Sequence, residues 1–146
     1  MIVFPGDGFE RLLELFDRLE IPYMIGGSGA SSVHGLVRTT GNLDIFPLTT
    51  DGYQQIQFGR RRYEKSSIFT RESLEVAVSS PEDVILSKLR SFRQGGEVSE
   101  QQWNDVLGVI AVQRQNLDVR YLRDWAEYLG ISKLLEQALD EGQAPR

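Results

Sequence analysis

Apolar positions near the start of the chain recur at helical spacing. Phe9, Leu12, Leu13, Phe16 and Leu19 alternate with Glu10, Arg11, Glu14, Asp17 and Arg18. The pattern predicts an amphipathic helix over residues 7–20, stopped by Pro22, with its apolar stripe covering one face of a sheet. The period then changes. Tyr23-Met24-Ile25 is a short apolar run that reads as a buried strand, and it ends at Gly26-Gly27. The small residues that follow predict a turn or two of helix over 28–36. Leu43-Asp44-Ile45-Phe46, closed by Pro47, is the next strand. Residues 51–62 predict a short helix. Residues 60–69 and 73–78 predict a hairpin, since Leu74, Val76 and Val78 alternate with Glu75 and Ala77.

The second half has a steady helical period and well-marked starts. Ser80-Pro81-Glu82-Asp83 supplies a capping serine, a proline at the first helical position and acids in the first turn. That helix sends Val84, Ile85, Leu89 and Phe92 inward and ends near Gly95-Gly96. Ser99 with Gln102 forms a second capping box, opening a helix that buries Trp103, Val106, Leu107 and Ile110. Asn116-Leu117-Asp118 starts a third, bearing Tyr121, Leu122, Trp125, Ala126 and Leu129, with Gly130 as its stop. Ser132 starts a fourth with Leu134, Leu135, Ala138 and Leu139. A few strands followed by a block of helices is an α+β arrangement. The expected organisation is one domain: a sheet-containing core over 1–79, a helical block over 80–140 packed on it, and a frayed tail over 141–146.

Composition narrows the chemistry. The 146 residues include no cysteine and a single histidine, which excludes thiol chemistry, disulfides and cysteine-ligated metals and disfavours a His-rich metal site. Net charge is −5, which argues against a broad nucleic-acid surface or an anionic-membrane surface, although Arg60-Arg61-Arg62 forms a local basic patch. No run of 18 or more apolar residues occurs. Met1-Ile2-Val3-Phe4 runs straight into Pro5-Gly6-Asp7-Gly8, which is not a signal peptide. The expectation is a soluble, cytoplasmic protein.

The stretch from Tyr23 to Gly35 is where chemistry is expected. Strand, glycine turn and helix start together leave backbone N–H groups pointing outward at a helix N-terminus. Gly26 and Gly27 let a ligand approach the backbone closely. Ser28 can cap the helix or turn its hydroxyl to a phosphate oxygen. The alternative is a tight turn with no ligand, because the stretch lacks both the lysine of a P-loop and the three-glycine spacing of a dinucleotide site.

Tyr23-Met24-Ile25-Gly26-Gly27-Ser28, with Ala30-Ser31-Ser32-Val33-His34-Gly35 and Arg38-Thr39-Thr40, resembles the glycine motif of the nucleotidyltransferase superfamily, which has a polymerase-beta-like fold. Ser80-Pro81-Glu82-Asp83-Val84-Ile85-Leu86-Ser87-Lys88-Leu89 resembles a helix of its small bacterial members, the toxin-like abortive-infection branch included. So does Gln102-Trp103-Asn104-Asp105-Val106-Leu107, followed by Leu117-Asp118 and Tyr121-Leu122. The resemblance implies a nucleotidyltransferase-like small mixed sheet with flanking helices. It further implies transfer of a nucleotidyl group from ATP or another NTP to a protein or RNA hydroxyl, with Mg²⁺. In that reading Gly26, Gly27 and Ser28 hold phosphates, Arg38 and Lys88 contact the nucleotide, and Asp44 is both the catalytic acid and the metal ligand.

The acids depart from the superfamily's pattern. Two divalent ions about 4 Å apart need several carboxylates. Asn42-Leu43-Asp44 reads as a paired-acid motif whose first acid has become Asn, which weakens the grip on Mg²⁺. Alternatively, Leu43-Asp44-Ile45-Phe46-Pro47-Leu48-Thr49 is the third-acid strand and the segment bearing the pair is missing. Either way the expectation is lost or reduced transfer activity, with Glu75 as a substitute acid or a solvent-facing strand residue. The competing class is a non-catalytic binding module of toxin–antitoxin type, and a shortened sheet with exposed edges predicts a homodimer or a protein partner. His34 reads as a phosphate contact or as a histidine bonded to the backbone. Lys88 has the alternative of snorkelling from an apolar stripe. Asp105 and Asp118 read as helix-surface or capping acids, and Trp103 and Trp125 as core.

Overall fold

The structure, a computed structural model, describes residues 7–21, 23–35, 44–47, 67–71 and 74–143. Helix α1 (Asp7–Arg18) leads through β1 (Tyr23–Gly26) into α2 (Gly27–His34) and β2 (Asp44–Pro47), and β3 (Ser67–Arg71) and β4 (Leu74–Val78) follow. The remainder is helical: α3 (Pro81–Gln94), α4 (Glu100–Gln113), a 3-10 turn at Arg114–Asn116, α5 (Val119–Leu129) and α6 (Ser132–Gln143). Strands in the first half and helices in the second make an α+β chain. The helix expected over 51–62 and the Arg60–Arg62 patch lie outside the described residues.

The four strands form one mixed sheet in the order β2-β1-β4-β3. β1 and β2 are antiparallel, with Gly26 opposite Asp44 and Tyr23 opposite Pro47. β3 and β4 make the expected hairpin, with Ser67 opposite Val78 and Arg71 opposite Leu74. In the centre β1 runs parallel to β4, Ile25 beside Val78, and the Ser79 N–H donates to the Ile25 carbonyl at 2.8 Å. Both central strands therefore end at the same edge of the sheet, and each feeds a helix there: β1 into α2, β4 into α3.

One core joins sheet and helices. Met24, Ile25 and Val78 from the sheet are buried, as are Val84, Ile85, Leu86 and Leu89 of α3, Val106, Val109 and Ile110 of α4, Leu122 and Ala126 of α5, and Leu135, Ala138 and Leu139 of α6. Each such leucine or isoleucine contributes roughly 1.5–3 kcal/mol of transfer free energy. The helix starts obey the local code. Ser80, Ser99 and Asp118 each accept from the backbone N–H three residues on, at 3.2, 3.3 and 3.0 Å. Gly130 closes α5 in the left-handed conformation, φ 70°.

Three expectations need correction. On α1, Leu13 is buried and Phe16 half-buried, but Leu12, and Leu19 just past the helix, are exposed. Leu12 lies about 100° around the helix from Leu13, so a single sheet cannot cover both. The chain does not fray at Glu141, since α6 runs on to Gln143. Gly142 is buried where an added Cβ would lie 2.7 Å from the Ile110 side chain, and Glu141 accepts from the Trp103 indole N–H at 2.8 Å. Finally, Phe92 is only half-buried, whereas Trp103 packs against the core as expected, the two ring centroids lying 5.2 Å apart. No helix among the described residues is long and apolar enough to cross a membrane.

Candidate functional site

The glycine turn stands where the two central strands end. Gly27 has φ +54°, in the left-handed region that a residue with a Cβ enters only at a cost. The register that sets Gly26 opposite Asp44 brings the Asp44 side chain against this turn. A Cβ on Gly27 would overlap the Asp44 Oδ2 and lie 2.8 Å from its Cγ. Asp44 is exposed on that rim. The glycine turn and Asp44, separated along the chain, are thus placed together.

Helix α2 begins one residue earlier than expected, and Ser28 is not its cap. Gly26 holds the N-cap position without any side-chain hydrogen bond, and no acid occupies the first turn. Ser28 lies inside the helix, half-buried, and its carbonyl accepts from the Ser31 and Ser32 hydroxyls at 3.0 and 2.9 Å. These serines bond back to the preceding turn, so the small residues of α2 serve close packing. At the far end, a Cβ on Gly35 would meet the backbone nitrogen of Val109 at 2.8 Å, which shows how tightly the end of α2 backs onto α4.

Lys88 of α3 is buried rather than snorkelling, with 7% of its surface exposed. Its ammonium donates to Asp105 Oδ2 of α4 at 2.9 Å and lies 3.5 Å from Ser28 Oγ. Asp105 is therefore not a helix-surface acid: it faces α3. The sequence does carry a faint signal for the pair, since Lys88 follows the buried Val84 by four residues and Asp105 precedes the buried Val109 by four. Both sit at the rim of an apolar stripe, on successive helices.

Behind the turn lies a layer of buried polar groups. His34 Nε2 donates to the Ser79 carbonyl at 2.6 Å, and the His34 carbonyl accepts from Gln113 Nε2 at 2.9 Å. Burial lowers the His34 pKa, outweighing the opposing effects of the Ser79 bond and of Glu82. The neutral imidazole bonded to the backbone is the form the fold selects. Glu82 and Asp83, readable in sequence only as acids at a helix start, are both buried. Glu82 accepts from the Asp118 N–H at 2.9 Å, which ties the start of α5 to that of α3, and Asp83 accepts from the Tyr121 hydroxyl at 2.5 Å. The Tyr23 hydroxyl is buried without a hydrogen-bond partner among the described residues. Burial, with Asp17 nearby, pushes its pKa up to about 12.

Of the expected site residues, Gly26, Gly27, Ser28, Asp44 and Lys88 come together at this edge of the sheet, and Arg38 lies outside the described residues. Glu75 occupies the opposite end of β4, three residues before the Val78 that pairs with Ile25, hence about 10 Å down the strand. Among the described residues no three His, Asp or Glu side chains cluster as a metal site. A Mg²⁺ that arrives with phosphates needs only one or two protein carboxylates, and the exposed Asp44 beside the turn suits that demand. Comparison with known protein families, with curated proteins and with solved structures finds no match for this chain.

Proposed function

We propose that this chain is a nucleotidyltransferase-superfamily protein with reduced transfer capacity, taking an NTP at the turn between β1 and α2. One observation carries the reading: the Asp44 carboxylate is packed against Gly27, the residue whose left-handed backbone begins α2. The N-terminus of a helix at that point suits a phosphate, and Ser28 of its first turn lies 3.5 Å from the Lys88 ammonium. Bound Mg²⁺ would neutralise phosphate charge, with Asp44 as its protein ligand. In a transfer step an acceptor hydroxyl releases its proton to solvent as its oxygen bonds to the α-phosphorus, the bond to the bridging oxygen breaks, and pyrophosphate leaves. The chain's own part is to hold the phosphates with backbone N–H groups and a placed cation. A single assigned carboxylate accounts for the expected loss of rate.

The test is a calorimetric titration with Mg²⁺ and ATP on the wild-type protein and on Asp44→Ala. Metal-dependent binding that the substitution abolishes supports the reading, and absence of heat with the wild type refutes it. A second reading, a binding module that works by association, is favoured by Leu12 and Leu15 on α1 and Leu19 just past its end, which are exposed at spacings of three and four. It predicts a homodimer or a complex with a partner protein. A monomeric mass by light scattering at micromolar concentration counts against the homodimer.

A further inference from the structure

We infer that Asp105 is the positioning residue of the glycine-turn site, holding the Lys88 ammonium against Ser28. The inference rests on the reading of that turn as a phosphate site. Lys88 and Asp105 side chains keep only 8% and 12% of their exposure, and their charged atoms are 2.9 Å apart. A lysine has a flexible four-carbon stem, and an ammonium at that depth requires a counter-charge. The pairing meets both conditions: it compensates the charge and aims the ammonium at the first turn of α2, where Ser28 Oγ lies 3.5 Å away. The frame is fixed, because α3 packs on α4 and both pack on α2. Ser28 is fixed too, by the hydroxyls of Ser31 and Ser32 on its carbonyl.

Charge alone and positioning make opposite predictions. Removing the Asp105 charge makes the site more positive by one unit, which strengthens anion binding if only net charge matters. If aim matters, the same change weakens binding.

The experiment titrates inorganic tripolyphosphate and Mg·ATP calorimetrically into the wild type, Asp105→Asn, Asp105→Glu, Lys88→Met and Lys88→Met/Asp105→Asn. Circular dichroism confirms folding of each variant. The Lys88 ammonium ¹⁵N–¹H resonance is recorded in every variant that keeps the lysine. The inference expects Asp105→Asn to weaken binding by about tenfold, the worth of one charge-assisted hydrogen bond. Asp105→Glu should recover most of the loss, and Asp105→Asn should change nothing further once Lys88 is Met. The Lys88 resonance should be present in the wild type and Asp105→Glu and absent in Asp105→Asn. Equal or tighter binding by Asp105→Asn overturns the inference, as does an equal loss in the Lys88→Met background. If the wild type binds neither probe, the phosphate reading fails. The Lys88 resonance then still judges the positioning role: lost in Asp105→Asn it supports Asp105 as the residue that holds the lysine, unmoved it overturns it.

Discussion

Helices α2 and α3 leave the same edge of one sheet, yet their beginnings are opposite in design. α3 closes its own N-terminus with Ser80 on the Asp83 N–H, Pro81 where no donor is needed, and Glu82 and Asp83 in the first turn. α2 begins on a glycine, with no capping side chain of its own and no acid in its own first turn. The positive end of α3 is spent on holding the protein together, since its two acids tie down α5. That of α2 faces the Asp44 carboxylate, which β2 supplies. Within one small fold, the two helix starts are told apart by whether the acid beside them comes from their own first turn or from a neighbouring strand.

Substitutions can break this contrast. The largest effect is expected at the start of α2: Gly27→Ala must hold φ +54° and displace Asp44, costing about 2 kcal/mol of stability in urea denaturation and abolishing Mg·ATP binding in calorimetry. In an Asp44→Ala background the overlap is gone, and the stability cost should fall toward the backbone strain alone. The start of α3 responds through stability only. Ser80→Ala should cost about 1 kcal/mol, whereas Ser28→Ala, which removes no cap, should change the urea midpoint little and weaken ATP binding instead.

A smaller effect should appear with pH, at the layer behind both helices. Burial lowers the folded-state pKa of His34, so the unfolded chain takes up the proton more readily. Stability should be complete above pH about 6.5 and decline as pH falls through that value. Urea midpoints measured across this window should lose the dependence in His34→Gln. The smallest effect is expected at Tyr23, whose hydroxyl lacks a partner among the described residues. Tyr23→Phe should leave stability unchanged or raise it by about 0.5 kcal/mol at neutral pH. With the folded-state pKa raised to about 12, wild-type stability should fall above pH about 10, a loss that Tyr23→Phe removes.

What the sequence disclosed follows the range of each interaction. Ser80, Ser99 and Asp118 each bond three residues along their own helix, so their roles can be read without knowing the fold. Gly130 is equally local. The Lys88–Asp105 pair depends on how α3 meets α4, and the contact of Glu82 with the Asp118 N–H depends on how α5 meets α3. Neither is written in a spacing. Asp44 was identifiable as an unusual strand acid, but its position against Gly27 comes from the β1–β2 register. Of the two roles the sequence allows Ser28, helix cap and phosphate contact, the structure removes the first. Gly26 takes the position instead, since the left-handed Gly27 starts the helix earlier.

The parallel pairing of Ile25 with Val78 has a kinetic consequence. Its two partners come from distant parts of the chain, so the middle of the sheet closes only after a long loop has been gathered, at an entropic cost that short connections avoid. Helices α3 to α6 meet near neighbours in sequence and belong to the class of contacts that forms early. The turn at Gly27 is therefore expected to be assembled last during refolding. A ligand bound there would act chiefly as a clasp, slowing the first opening of the sheet more than it speeds the gathering of the helices.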